Sequence, residues 1–389
     1  MIVIAGKNNI AVHALNTLAR LPGTQALAVV CNVTDDGQDG WQRSLKRHAE
    51  TLGIPVITLA QAYDQATLFL SLEFDKIVRP ERFRQARCYN IHFSLLPRYK
   101  GMYTAIWPVL NGDREAGVSL HVIDAGIDTG ELIAQRTFKL TEWHSAKDLY
   151  LKCIEASCLL FDEQVQALVE GAVSPYPQAA EQSTYYSRQS IDFSRLKVDL
   201  VQTAWQVSRQ VRAYAFRNYQ LPSVEGERFV NCRITNTRSS HKAGSLVLDT
   251  GAYAEYATID YNIRLFRDRQ SEVFAAAQTR ELADVPETLL GLCSVDDRNA
   301  IGWTLLMIAC YNGFERTARA LLEAGADINA SNAKGTTVLM YAKDHALKVR
   351  DSTFFRWLVG QGADIERRDL TGRRLADYVS AQDYDFLLG

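Results

Sequence analysis

Apolar residues near the start of the chain fall into short runs separated by stretches of helical spacing. Ile2–Ala5 is a short apolar run and reads as a strand, while Ile10–Leu21 repeats its apolar positions with helical period and stops at Pro22-Gly23. Ala26–Cys31 predicts a second buried strand, Trp41–Leu52 a helix and Pro55–Thr58 another strand. Cys88–His92 is short and apolar enough for a buried strand, and Phe93–Gly101 is a loop broken by Pro97 and Gly101. Val118–Ile123 alternates and is β-branched, so it reads as the next strand, feeding the turn Asp124–Asp128. Strands and helices alternating in this order predict an α/β domain over residues 1–180, an open parallel sheet with helices on both faces.

The pattern then changes twice. Around Ser174–Tyr186 the helical spacing stops, and Pro175, Pro177 and Ser183–Ser187 mark a connector. Val198–Tyr214 reads as a helix, followed by short alternating segments at Phe229–Thr235, Gly244–Asp249, Ala254–Tyr261 and Asn262–Phe266. These predict a linker helix and a small β-rich domain over 181–268. From 269 to 389 the chain repeats itself. Gly302-Trp303-Thr304-Leu305-Leu306 returns as Gly335-Thr336-Thr337-Val338-Leu339 after 33 residues, and Gly372 opens a truncated unit 37 residues later. Gly325-Ala326-Asp327-Ile328 is echoed by Gly362-Ala363-Asp364-Ile365. Period and signature resemble ankyrin repeats, with Leu289–Asp297 as the worn end of a preceding cap. So few repeats seldom bury enough surface alone, so the array is expected to pack on the first domain or on its own copy in a homodimer.

Composition narrows the field. The chain has 389 residues, 47% of them hydrophobic, and a net charge of −2, which fits a multidomain globular protein. That balance argues against nucleic acid as a partner, since phosphate binding draws on clustered Lys and Arg. There is no apolar run of membrane-spanning length, and Met1–Gly6 reads as a strand rather than a signal peptide. Seven scattered cysteines, none in a Cys-x-x-Cys pair, fit free thiols in the cytoplasm, and no metal site is expected.

The chemistry-bearing stretch is Asn90-Ile91-His92, then Ser94-Leu95-Leu96-Pro97 and, 36 residues after the histidine, Asp128-Thr129-Gly130. It places an amide, an imidazole and a carboxylate at strand ends, where open α/β sheets bind ligands. These elements, with Val118-Ser119-Leu120-His121-Val122, resemble the core of the folate-dependent formyltransferases. The resemblance implies a Rossmann-like catalytic domain, 10-formyltetrahydrofolate as co-substrate and transfer of its formyl group to an amine, with Asn90, His92 and Asp128 as the catalytic set. In that chemistry the carboxylate accepts a proton from the attacking amine, and the amide and imidazole donate to the oxyanion that forms.

Leu72-Glu73-Phe74-Asp75-Lys76-Ile77-Val78-Arg79-Pro80 and Gly101-Met102-Tyr103-Thr104 resemble the nucleotide-sugar branch of the family. That branch acts on dTDP-linked amino-dideoxyhexoses made for bacterial surface polysaccharide (O-antigen), and a 3-amino-3,6-dideoxyhexose is the expected acceptor. On this resemblance Lys7, Asn9 and Lys76 are candidates for the phosphates, Tyr103 for the sugar pocket and Tyr219 for stacking thymine. Arg79, Leu95, Leu96, Pro97 and Asp124 would border the folate. The plainer readings are a solvated turn for Lys7 and Asn9, a surface pair with Asp75 or Glu73 for Lys76, packing against Pro97 or Trp107 for Tyr103, a local plug for Leu95, Leu96 and Pro97, and interdomain packing for Tyr219. The Gly6-Lys7-Asn8-Asn9 turn lacks Gly-x-Gly-x-x-Gly spacing, so a dinucleotide is not expected. Trp303 is either a packing residue or the platform of an accessory ligand site. Two alternatives stay open: a methionyl-tRNA formyltransferase-like enzyme, and an ankyrin adaptor whose formyltransferase half is inactive.

Overall fold

The computed structural model describes residues 1–23, 26–332, 334–369 and 371–389. By internal contacts the chain divides into two compact units, Met1–Leu196 and Lys197–Gly389.

The first unit is built on a six-stranded sheet. Its strands are β1 (Ile2–Gly6), β2 (Leu27–Cys31), β3 (Leu68–Leu72), β4 (Arg87–His92), β5 (Glu115–Val122) and β6 (Leu132–Lys139), in the order β2-β1-β3-β4-β5-β6. The first four run parallel, whereas β5 pairs antiparallel with β4 and β6 with β5. The sheet is therefore mixed rather than wholly parallel. β5 and β6 are joined by the turn 123–131 as a hairpin, which sets β6 antiparallel to β5. That turn needs Gly130, because a Cβ there would lie 1.9 Å from the Val122 carbonyl oxygen.

β1 is buried at every position, as a central parallel strand covered on both faces must be. Helices α1 (Asn8–Arg20), α2 (Leu45–Thr51), α3 (Leu59–Gln65), α4 (Trp107–Asn111) and α5 (Ala146–Glu170) accompany the sheet. α1 buries Ile10, Ala14, Leu15 and Leu18, the face its spacing predicts, and α5 starts at a Ser145–Asp148 capping box. Between β1 and β3 the chain leaves the sheet in opposite directions, which makes the ends of these strands a switch point. Gly6 sits there with φ +151°, and a Cβ would fall 1.8 Å from the Leu72 carbonyl oxygen.

Two expected elements shrink. The helix expected over Trp41–Leu52 begins only at Leu45, because Asp35 holds the Ser44 hydroxyl and the Lys46 N–H in an irregular loop. Pro55–Thr58 makes one parallel bridge, Val29 to Val56, before Thr58 caps α3 and ends any strand.

In the second unit α6 (Ala204–Tyr214) follows an extended segment; the helix expected from Val198 starts late because Thr203 and Gln206 form its capping box. It packs Val207 and Val211 on Cys232, Ile263 and Leu265 of an antiparallel sheet. That sheet contains β7 (Asn231–Arg238), β8 (Leu246–Asp249), β9 (Tyr253–Tyr256) and β10 (Tyr261–Phe266), in the order β7-β10-β9-β8. Helices α7 (Gln270–Thr279), α8 (Val285–Leu289), α9 (Leu305–Asn312), α10 (Glu315–Glu323), α11 (Val338–Val349) and α12 (Thr353–Gly360) share one apolar core. The array meets the small sheet directly: Asn231 donates to the Leu289 and Leu292 carbonyls, and Arg233 pairs with Glu287 at 2.8 Å. Among the described residues no helix is long and apolar enough to cross a membrane.

Candidate active site

β4 carries Asn90 and His92 on one face, and the register with β5 sets Asn90 opposite His121 and His92 opposite Ser119. The turn after β5 bends back so that Asp128, at φ 55°, reaches the same place. Asp tolerates this left-handed conformation better than most residues. Asp128 Oδ2 lies 3.5 Å from His92 Nδ1 and accepts a 2.8 Å hydrogen bond from the Gly101 N–H, while Oδ1 lies 3.6 Å from His121 Nε2. The backbone of this turn is anchored as well, since Gln178 donates to the Asp128 and Gly130 carbonyls.

The outer nitrogens of both imidazoles are fixed by backbone carbonyls. His92 Nε2 is 2.8 Å from the Tyr99 oxygen and His121 Nδ1 is 2.8 Å from the Val122 oxygen. A carbonyl can only accept, so those nitrogens carry hydrogens and the opposite nitrogens face Asp128. Asn90 Nδ2 sits 3.0 Å from His121 Nε2, using one amide hydrogen and leaving its second for another acceptor. Burial pushes the Asp128 carboxyl up, but His92, His121 and the Gly101 N–H outweigh it and hold the group down to about 2. The result is a buried, ionised carboxylate between two imidazoles, with an amide beside it.

Sequence reasoning picked out Asn90, His92 and Asp128, and the structure brings them together. It missed His121, which touches two of the three. The only signal was its inward position in an alternating strand, and core residues share that signal.

The comparisons with known proteins meet this geometry. A model of the formyl transferase family matches residues 60–161, which include Asn90, His92, His121 and Asp128. An N-formyltransferase from Helicobacter canadensis, solved with folinic acid and dTDP-3-aminofucose, is 37% identical to this chain. It covers 68% of this chain and 99% of its own length, with a TM-score of 0.63. The chain belongs to the formyltransferase family. WlaRD, a sugar 3N-formyl transferase solved with dTDP and 5-N-formyl-THF, is similar to this formyltransferase over 68% of the chain and 96% of its own, at 34% identity and TM-score 0.63. Curated relatives include methionyl-tRNA formyltransferases from Cyanothece sp., 31% identical over 47% of this chain, and Paracoccus denitrificans, 32% identical over 45%. The formyltransferase spans about three fifths of their length, 60% and 62%. A model of three ankyrin repeats matches residues 273–369.

The other candidates of the formyltransferase are dispersed. Lys7 is the N-cap of α1, and its backbone N–H reaches the Leu72 carbonyl at 3.3 Å. Asn9 spends its backbone N–H on Gln42 and its side-chain oxygen on the Arg43 N–H, so it fixes the loop before α2. Lys76 and Arg79 are exposed on the loop after β3. Leu96 and Pro97 turn inward: Leu96 is 3% exposed and its N–H is held by Ser119 Oγ, so these two plug the local core rather than wall a cleft. Leu95 is half-buried above Gly117. Asp124 closes its own turn by accepting from the Gly126 N–H and the Thr129 hydroxyl. Tyr103, at φ 60°, sets its ring edge-on to Phe193 at 4.9 Å. Trp107 stacks on Tyr186 at 3.8 Å, where Tyr185-Tyr186 pairs with Lys100-Gly101.

In the second unit Tyr219 is 58% exposed on a tight turn and leans on Phe216. Trp303 packs against Tyr341 at 4.2 Å and Tyr311 at 5.4 Å.

Proposed function

We propose that this chain is an N-formyltransferase that moves the formyl group of 10-formyltetrahydrofolate to the amino group of a dTDP-linked 3-amino-3,6-dideoxyhexose. The observation that carries the reading is Asp128, ionised and buried between His92 and His121 with the Asn90 amide alongside. The folate, when bound, supplies an activated formyl carbon. The donor set suits that group: the free Asn90 amide hydrogen is a donor for an oxygen gaining negative charge. Asp128 draws the proton off the attacking amine. A carboxylate held at about 2 is a poor resting place for that proton. It orients the amine and passes the proton, directly or through water, toward His92 Nδ1, the nitrogen that faces it.

The sugar acceptor is favoured over transfer RNA by two features. The likeness to the two sugar enzymes runs over nearly their whole length, and the net charge of −2 offers no general attraction for a polyanion. Lys7 and Lys76 serve the diphosphate in this reading, and Tyr103 the sugar. We assign three domains, 1–180, 181–268 and 269–389, acting in the cytoplasm as a homodimer in surface-polysaccharide synthesis. The Trp303 cluster is a candidate accessory ligand site. The test is formyl transfer to a panel of dTDP-amino sugars with initiator methionyl-tRNA alongside. Turnover of a 3-amino sugar is expected. Activity on the tRNA alone overturns the acceptor, and silence on all favours an inactive scaffold.

A further inference from the structure

At the switch point between β1 and β3, two residues other than glycine adopt left-handed backbone conformations and bond to each other. Asn8 has φ 66° and Glu73 has φ 56°, and Asn8 Nδ2 donates to Glu73 Oε2 at 3.1 Å. Left-handed geometry is uncommon outside glycine, more so for Glu than for Asn, and such strain persists only where surroundings enforce it. The enforcement here is visible. The Tyr150 hydroxyl, from α5, donates to Glu73 Oε1 at 2.6 Å and lies 3.0 Å from Asn8 Nδ2, closing a three-membered network. The Glu73 carbonyl is held by Asn32 Nδ2 at 2.9 Å. Burial pushes the Glu73 carboxyl up, opposed by Tyr150, Asn8 and the charge of Lys7.

The network links pieces that local structure would leave independent. Asn8 lies between Lys7 and Asn9 in the first loop. Tyr150 touches Trp41 at 5.7 Å between ring centres and Phe93 at 5.6 Å, and Phe93 directly follows His92. Glu73 opens the loop that carries Lys76. A buried carboxyl is a costly device for joining two turns that an apolar contact could also join. Its use suggests that direction matters here more than stability.

We propose that Glu73 is a positioning residue for the acceptor: with Asn8 and Tyr150 it sets the Lys7–Asn9 and Lys76 loops so that an anionic sugar nucleotide is held at the end of the His92 strand. The inference rests on the sugar-nucleotide reading above. Glu73 takes no part in the chemical step, so its loss acts on acceptor binding and leaves folate binding alone.

The experiment measures kcat and separate KM values for a dTDP-amino sugar and 10-formyltetrahydrofolate in full-length wild type, Glu73→Ala, Glu73→Gln and Tyr150→Phe. Losing a carboxyl that accepts from both Tyr150 and Asn8 predicts an acceptor KM raised about tenfold or more in Glu73→Ala, with the folate KM within about twofold. Glu73→Gln recovers part of the loss, because its amide oxygen still accepts from Tyr150 while its amide nitrogen cannot accept from Asn8. Tyr150→Phe, which removes one hydroxyl, raises the acceptor KM about threefold or more and keeps the test alive if Glu73→Ala fails to fold. An unchanged acceptor KM in Tyr150→Phe and Glu73→Ala, or equal rises for both substrates, overturns the inference while the sugar reading stands. A wild type inactive on every sugar nucleotide overturns that reading, and the inference with it.

Discussion

The strand-end cluster and the repeat array both bury polar side chains, but they satisfy them in opposite ways. In the repeats the recurring turn residues serve their own turns, and the longer links only tie one repeat to the next, as where Asn329 accepts from the Asp364 N–H. Asn299 accepts from the Ile301 and Trp303 N–H groups, Asn332 from Lys334 and Thr336, and Asp369 from Thr371 and Arg373. Thr304 and Thr337 then cap the next helices by accepting from Met307 and Met340. At the strand ends the partners are far apart in sequence. Asn90 meets a histidine 31 residues away, and Asp128 takes the N–H of Gly101 from 27 residues back. Local satisfaction specifies a shape that can be copied. Non-local satisfaction holds charges together that would not otherwise meet, and that is where chemistry becomes available.

Three changes probe this contrast, in order of expected effect. His92→Ala removes the imidazole that faces Asp128 and with it the group that takes up the amine's proton. Formyl transfer should fall by about 10²–10³ in kcat/KM, with circular dichroism unchanged. A loss under about tenfold would mean the cluster is structural. The second change is acid. The folded pKa of Asp128, about 2, lies below the ordinary 3.8, so the ionised form stabilises the fold, fully above about pH 4, and that contribution is lost as the pH falls through about 2. The difference amounts to about 2 kcal/mol. Urea midpoints of wild type and Asp128→Asn should therefore differ at pH 7 and converge toward pH 2; a gap independent of pH would deny the coupling. The smallest effect is at Asn332→Ala, which frees two turn N–H groups that water can partly reach. It should cost about 1 kcal/mol in thermal or urea unfolding and leave formyl transfer intact. A tenfold loss of activity there would show that the repeats are not separable from catalysis.

The same contrast explains what could be read in advance. The repeats were legible because Gly302, Gly335 and the Gly-Ala-Asp-Ile segments restate one local solution, and β1 and α1 because apolar period alone decides them. Asn90, His92 and Asp128 were legible as polar residues at strand ends, but that they meet was legible only through resemblance, since nothing in their local sequence announces it. His121 was hidden by looking like any inward residue of a strand. Trp41–Leu52 misled because helical spacing continues through a loop that Asp35 and Ser44 hold in another conformation. The antiparallel edge was missed because the direction of β5 depends on its pairing, which the alternation of its residues does not encode. Leu96 and Pro97 were open to two readings, and burial decides for the plug.

The central claim is that Asp128, held between His92 and His121, enables transfer of a formyl group to an amino sugar. Its most direct test is the initial rate of formyl transfer from 10-formyltetrahydrofolate to a dTDP-3-amino-3,6-dideoxyhexose by wild type and Asp128→Asn at neutral pH. The account predicts turnover by wild type and a loss of about a hundredfold or more in the variant with both substrates still bound. Equal rates in the two proteins would contradict it.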